Sequence, residues 1–170
     1  MKRQFPQQTL GVTLPQPVFG TTLGAATFPS AEPVSILVAS SAIFEIGDRV
    51  KVGAGSATPE MAEIVQIADG THITIATAKA HANGAFVQLS YPLSSFYLQT
   101  LDGATGHYYV GKGSAVDSTH YIAKLVKVAA DVQPVEFSDA QIYGGNPGSS
   151  EEWWINGTAG DKYAASLSYV

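Results

Sequence analysis

Arg49-Val50-Lys51-Val52 and Asp69-Gly70-Thr71-His72-Ile73-Thr74-Ile75-Ala76 are the stretches whose reading decides the fold class. In the first, Val50 and Val52 alternate with Arg49 and Lys51. In the second, Ile73 and Ile75 fall on one face of an extended chain and His72 and Thr74 on the other. Period-two alternation with β-branched residues marks half-buried strands. The Asp69-Gly70 pair ahead of the second run supplies the tight reversal of a hairpin.

Working outward, Val34 to Ser40 and Ile43 to Ile46 read as further strands, with a turn at Gly47-Asp48. A Gly/Ser/Thr/Pro loop from Gly53 to Pro59 precedes the apolar run Glu60 to Ala68. Thr77 to Gly84 reads as a short helical turn closed by Asn83-Gly84, because glycine commonly stops a helix. Ala85 to Tyr91 is another strand. Four or five strands joined by tight turns within about 50 residues predict a small β-barrel or rolled sheet, here over residues 34–92.

The flanks differ. Residues 1–33 carry Pro6, Pro15, Pro17, Pro29 and Pro33 with isolated large apolar residues Phe5, Leu10, Leu14, Phe19 and Phe28. Each proline removes a donor and holds its predecessor extended, so the segment reads as an extended arm whose bulky side chains enter pockets on another surface. Residues 93–170 read as a β-rich part packing on the module. A second hairpin is expected from Ser95–Gln99 and Gly106–Val110 about a turn at Asp102-Gly103. Further strands are expected at Thr119–Val128, Val135–Phe137, Gln141–Tyr143, Trp153–Asn156 and Tyr163–Val170.

Composition bounds the function. The 170 residues are 45% hydrophobic and only 14% charged, with 17 Gly and 9 Pro, which suits a mostly β, turn-rich globular chain and not a disordered one. So little charge suggests surface covered by partner subunits, although neutral Ser, Thr, Gln and Gly would also keep such a chain soluble. A net charge of −5 without a Lys/Arg cluster argues against nucleic acid. Without cysteine there is neither a disulfide framework nor a thiolate nucleophile. No apolar stretch reaches membrane-span length, and Met1–Leu10 lacks the apolar core of an export signal, so no membrane contact is expected.

Chemistry-bearing residues are few. His72, His81, His107 and His120 have no metal-ligand spacing, so no metal or other cofactor is expected. Glu151-Glu152 precede Trp153-Trp154, acids beside aromatic rings as in sugar-binding clefts. Neighbours on a strand point to opposite faces, however. Gly144-Gly145-Asn146-Pro147-Gly148 and Gly111-Lys112-Gly113-Ser114 do not match a phosphate loop and read as turns. Asn156-Gly157-Thr158 fits a glycosylation acceptor only by a short pattern.

The central motifs, Ile46-Gly47-Asp48-Arg49-Val50-Lys51-Val52, Met61-Ala62-Glu63-Ile64-Val65-Gln66-Ile67, Thr71 to Ala76, and Ala80-His81-Ala82-Asn83-Gly84-Ala85-Phe86-Val87, resemble a recurring module of tailed-bacteriophage virion proteins. The resemblance covers less than a third of the chain. It implies a structural protein of the virion, a capsid decoration or stabilising subunit, or else a tail or head-tail connector component. Its partners would be major capsid or tail subunits, and it would be a homo-oligomer without catalytic residues. Within the module Ile73 and Ile75 would fill the core, Gly84 would swing the chain into the Phe86 strand, and His81 would bond local backbone. Contacts are expected through Phe5, Leu10, Leu14, Phe19 and Phe28 of the arm and through exposed Tyr108, Tyr109, Trp153 and Trp154. A second class is a glycan-binding module stacking those aromatics on sugar rings. The third is a glycan hydrolase using Glu151 or Glu152 with Asp161.

Overall fold

A computed structural model describes residues 1–12, 14–101, 105–125, 135–138 and 148–169. The first strands are β1 (Lys2–Gln4), β2 (Gln8–Thr9) and β3 (Gln16–Pro17). The middle of the chain forms β4 (Gly20–Thr22), β5 (Ser30–Leu37), β6 (Arg49–Ala54), β7 (Glu60–Glu63), β8 (Gln66–Asp69), β9 (His72–Thr77) and β10 (Phe86–Leu89). The remainder forms β11 (Leu93–Thr100), β12 (Tyr108–Lys112), β13 (Ala123–Leu125), β14 (Val135–Ser138), β15 (Trp153–Asn156) and β16 (Lys162–Tyr169), with one 3-10 turn at Ser150–Glu152. The protein is thus mostly β, and among the described residues no helix is long and apolar enough to cross a membrane.

The strands fall into two compact units, a central one of Phe19–Tyr91 and a terminal one of Met1–Val18 with Pro92–Val170. In the central unit the sheets run β4-β10-β6-β7 and β5-β9-β8, all pairs antiparallel. Alternation places Val50, Val52, Ile73, Ile75, Val87 and Leu89 in its interior, each fully buried. Burying such a side chain is worth about 1.5–3 kcal/mol.

The central unit is not a closed barrel. Ile64 pairs its backbone with Gly47 and Asp48, in line with the β6 side, whereas Val65 N–H donates to Thr74 O on β9. The chain thus changes sheets between these residues and the ladder is interrupted there, while closure needs continuous pairing around the circumference. The helical turn expected at Thr77–Gly84 is also absent. His81 exchanges backbone hydrogen bonds with Thr27 as an antiparallel bridge, an extended geometry that a helix excludes. Gly84 does take positive φ, 80°, where a side chain would be strained.

The expected arm of residues 1–33 is divided between the units. In the terminal unit β1 and β2 pair with β16, and β3 pairs with β15. The backbone that prolines hold extended is already strand-like, and it forms two- and three-residue strands. The terminal unit's sheets run β1-β16-β11-β14, with β2 also on β16, and β13-β12-β15-β3. The hairpin expected between Ser95–Gln99 and Gly106–Val110 does not form. Asp161 accepts the N–H groups of Thr105 (2.9 Å) and Gly106 (3.1 Å) and the Thr105 hydroxyl (3.0 Å), turning the chain toward β15 and β13. The turn expected at Asp102-Gly103, the strand at Gln141–Tyr143 and residues 126–128 of Thr119–Val128 lie outside the described residues.

Aromatic packing fixes the terminal core. Phe96 and Phe137 stack at 4.4 Å, and the Trp153 ring meets them edge-on at 4.6 and 5.3 Å. Tyr163, opposite Thr100 on the same sheet, is also buried and donates its hydroxyl to Val18 O at 3.0 Å. Burial pushes the Tyr163 phenol up from its ordinary range. Trp153→Ala should cost about 3–5 kcal/mol of stability, read by urea unfolding together with loss of the near-ultraviolet aromatic dichroism.

Candidate functional site

The structure separates the residues expected at an interface. Leu10 and Phe19 are 1% exposed, Tyr108 and Trp153 are fully buried and Trp154 is buried. Phe5, Leu14 and Tyr109 are half-buried. Tyr108, Trp153 and Trp154 therefore build the fold, and neither tryptophan offers a face to a partner or a sugar. The reason is positional: Trp153 and Trp154 sit on β15, an inner strand flanked by β12 and β3, where the surroundings cover both faces. Phe28 alone of the nine stands out, 77% exposed.

Phe28 is exposed yet firmly held. Thr27 N–H donates to His81 O at 2.8 Å and His81 N–H returns a bond to Thr27 O. The Thr77 hydroxyl donates to Phe28 O at 3.2 Å. Beneath this bridge the His81 Nε2–H donates to Glu60 Oε1 at 2.6 Å. That tautomer follows because a carboxylate only accepts. His81 therefore bonds a side chain 21 residues away, not only the local backbone as expected. The same carboxylate accepts the N–H groups of Ala78 (2.7 Å) and Lys79 (3.1 Å), and Lys79 Nζ reaches Pro59 O at 2.8 Å. Gly53 permits the packing: a Cβ there would lie 2.7 Å from His81 Nδ1, and its φ is +72°.

Two residues past Phe28 begins β5, an edge strand of its sheet. Five consecutive residues, Ala31 to Ser35, are exposed. Near its end, Gly24 N–H donates to Leu37 O and Ala39 N–H to Thr22 O, covering that stretch of the edge. From Ser30 to Ile36 the side away from β9 faces no strand among the described residues. The pairing with β9 shifts register between Ser30 and Val34, and Pro33 lies in that irregularity. Irregularity and proline are common guards of an edge against indiscriminate pairing.

Elsewhere the chemistry-bearing groups serve the fold. Glu151 and Glu152 occupy the 3-10 turn, with Glu152 paired to Lys112 Nζ at 2.8 Å. Asp161 is committed to Thr105 and Gly106. Asn156 Nδ2 donates to Val116 O. Sequence reasoning missed a repeated box, Asp69-Gly70-Thr71-His72 and Asp117-Ser118-Thr119-His120, in which the aspartate accepts from the Thr N–H (2.7 Å in both), the Thr hydroxyl and the His Nδ1. The Thr71 N–H and the His72 ring hold the Asp69 carboxyl down to about 2, and the Thr119 hydroxyl and N–H hold Asp117 well below the usual carboxylate range. Both boxes close loops leading into the second strand of a pair, β9 and β13. Comparison with protein families, with curated proteins and with solved structures returned no match to this chain.

Burial alone would raise the Glu60 carboxyl, but His81 and the N–H groups of Ala78 and Lys79 outweigh it and hold it below its ordinary value. A carboxylate depressed in the folded state contributes stability above its unfolded pKa and loses it as pH falls through the folded one. Glu60→Gln should thus be less stable than wild type by about 1–3 kcal/mol at neutral pH, with the gap narrowing in acid. Urea unfolding at pH 7 and at pH 3.5 reads both; equal gaps at the two pH values would show that the charge of Glu60 is immaterial.

Proposed function

We propose that this protein is a structural subunit of a tailed-phage virion, a decoration or stabilising protein that binds neighbouring capsid subunits and copies of itself. The observation that carries the reading is Phe28, 77% exposed at the head of an open edge strand and held by a buried network. A large aromatic exposed beside an open strand edge can serve a partner as an anchor. Holding its backbone in place reduces the entropy lost on docking. The adjoining edge of β5 offers main-chain donors and acceptors to a partner strand, so that backbone pairing supplies affinity and Phe28 the anchor.

Composition agrees with an assembly role. A chain with 14% charged residues places little like-charge repulsion between copies packed on a shell. The virion-like motifs of Ile46 to Val87 form β6 to β10 and their turns, the scaffold on which Glu60 and His81 hold Phe28. Asp48, Glu60, Asp161 and His81 are committed to bonds within the fold, which supports a binding role over a hydrolytic one.

The test is incorporation onto particles that lack the protein, measured by gel densitometry of sedimented particles and by cryo-electron microscopy. Wild type should saturate a fixed number of sites. Phe28→Asp, whose substitution lies on the surface, should keep the wild-type melting curve and lose incorporation by about tenfold or more, as loss of a central anchor does. Incorporation of Phe28→Asp at wild-type occupancy, or no incorporation of wild type, would overturn the reading.

A further inference from the structure

The outward face of the β1-β16-β11-β14 sheet carries an unusual set of side chains. Register places Gln4, Ser166, Tyr97 and Glu136 in one row across the four strands, since Gln4 opposes Ser166, Ser166 opposes Tyr97 and Tyr97 opposes Glu136. The next row holds Ala164 opposite Gln99. Directly opposed residues share a face, while Phe96, Leu98, Phe137 and Leu167 turn inward and are buried. On β16 the outward residues at this point, Ala164 and Ser166, are small, whereas the strands on either side present Gln4 or Tyr97 and Gln99. The result is an open groove of about 360 Å³ along β16, within the range of about 300–1,000 Å³ typical of small-molecule sites.

We propose that this groove binds a neutral saccharide, with Tyr97 carrying the flat C–H face of one sugar ring and Gln4, Gln99 and Glu136 bonding its hydroxyls. Three observations choose this ligand class. First, among the described residues the lining, which includes Gln4, Phe5, Tyr97, Gln99, Ala164 and Ser166, holds no Lys, Arg or His, so these residues offer no positive charge to a phosphate or carboxylate. Second, primary amides both donate and accept, and a carboxylate accepts on two oxygens. A sugar hydroxyl needs that mixture, because each donates one bond and accepts others. Third, the Tyr97 hydroxyl donates to the Glu136 carboxylate across the strand pair, which fixes the ring as a platform before any ligand arrives. Aromatic platforms of this kind bury large area at low conformational cost, and the groove beside the ring is left open by Ala164 and Ser166.

The experiment is isothermal titration calorimetry and saturation-transfer NMR of the full chain with maltohexaose, cellohexaose and chitohexaose. At least one should bind with a Kd below about 10 mM. Tyr97→Ala should weaken that binding by about tenfold or more, while Tyr97→Phe, which keeps the platform, should stay within about threefold of wild type. Ala164→Gln, which fills the groove from an outward position, should abolish binding and leave the melting temperature unchanged. Binding to none of the three sugars, or binding that survives both Tyr97→Ala and Ala164→Gln, would overturn the proposal. A concentration-dependent dimer that Ala164→Gln dissolves would also overturn it, by giving the groove to a second copy. Phe28→Asp should leave sugar binding intact, so sugar binding and particle incorporation fail or succeed separately.

Discussion

A buried carboxylate surrounded by backbone donors is the interaction on which each unit depends. Strands this short leave many N–H groups outside any ladder, and a buried N–H without a partner costs about as much as a lost hydrogen bond. Glu60 takes two such groups and the His81 ring in the central unit. Asp48, 3% exposed, accepts Glu45 N–H at 2.7 Å and the Tyr91 hydroxyl at 2.6 Å. Asp161 gathers Thr105 and Gly106 in the terminal unit. With no cysteine for a disulfide and, among the described residues, only a 3-10 turn to brace the loops, these three acids connect segments 21 to 56 residues apart that strand pairing alone leaves loose. Each is bonded on both sides of its charge, and so the desolvation it suffers is offset locally.

Strand positions were legible in the sequence where alternation was strong. Val50 and Val52, Ile73 and Ile75 announce β6 and β9, and Asp69-Gly70 announces the turn between β8 and β9, because these signals are local and arise from the two-residue period of a strand. Partner choice was not legible. The longest pairing of the terminal unit joins β11 to β16, Phe96 to Leu167, across some 70 intervening residues, and nothing within either strand encodes the other. Reading Ser95–Gln99 as the partner of Gly106–Val110 followed the rule that sequential strands pair, which holds for about two-thirds of cases. Asp161 defeats that rule here, since its carboxylate ties down Thr105 and Gly106 from a distant loop.

Exposure was the other quantity that local reading could not supply. Trp153 and Trp154 precede a polar Asn-Gly turn and follow two glutamates, surroundings that suggest the surface, yet β15 lies between two strands and both rings are covered. Phe28 sits among Thr, Pro and Ser, much as Phe5 and Phe19 sit among small and polar residues, but only Phe28 emerges. The difference is made by the Thr27–His81 bridge and by the Thr77 hydroxyl, contacts whose partners lie about 50 residues downstream. Tyr97 passed unnoticed for a related reason. Its neighbours in the chain say nothing of the Ala164 and Ser166 beside it, and the groove exists only because a strand of small outward residues lies between two of larger ones.

The two surfaces argue for a division of labour that a particle would amplify. An aromatic anchor beside an open strand edge forms directional, water-excluding contacts of the kind that hold subunits in register. A shallow polar groove cannot: open to solvent on one side, it leaves most of a bound sugar hydrated and supports only weak binding per site. Weak sites become effective when many are fixed to one body. Once the first has engaged, the next binds at an effective concentration set by their spacing, and avidity exceeds single-site affinity by about 10²–10⁴ where the geometry allows simultaneous engagement. An array of copies, each held through Phe28 and β5 and each presenting Tyr97 outward from its own sheet, would turn millimolar recognition into retention at a glycan-coated surface. Such an arrangement asks little affinity of the groove, and a lining whose described residues include no Lys, Arg or His would keep that weak recognition directed at neutral sugars.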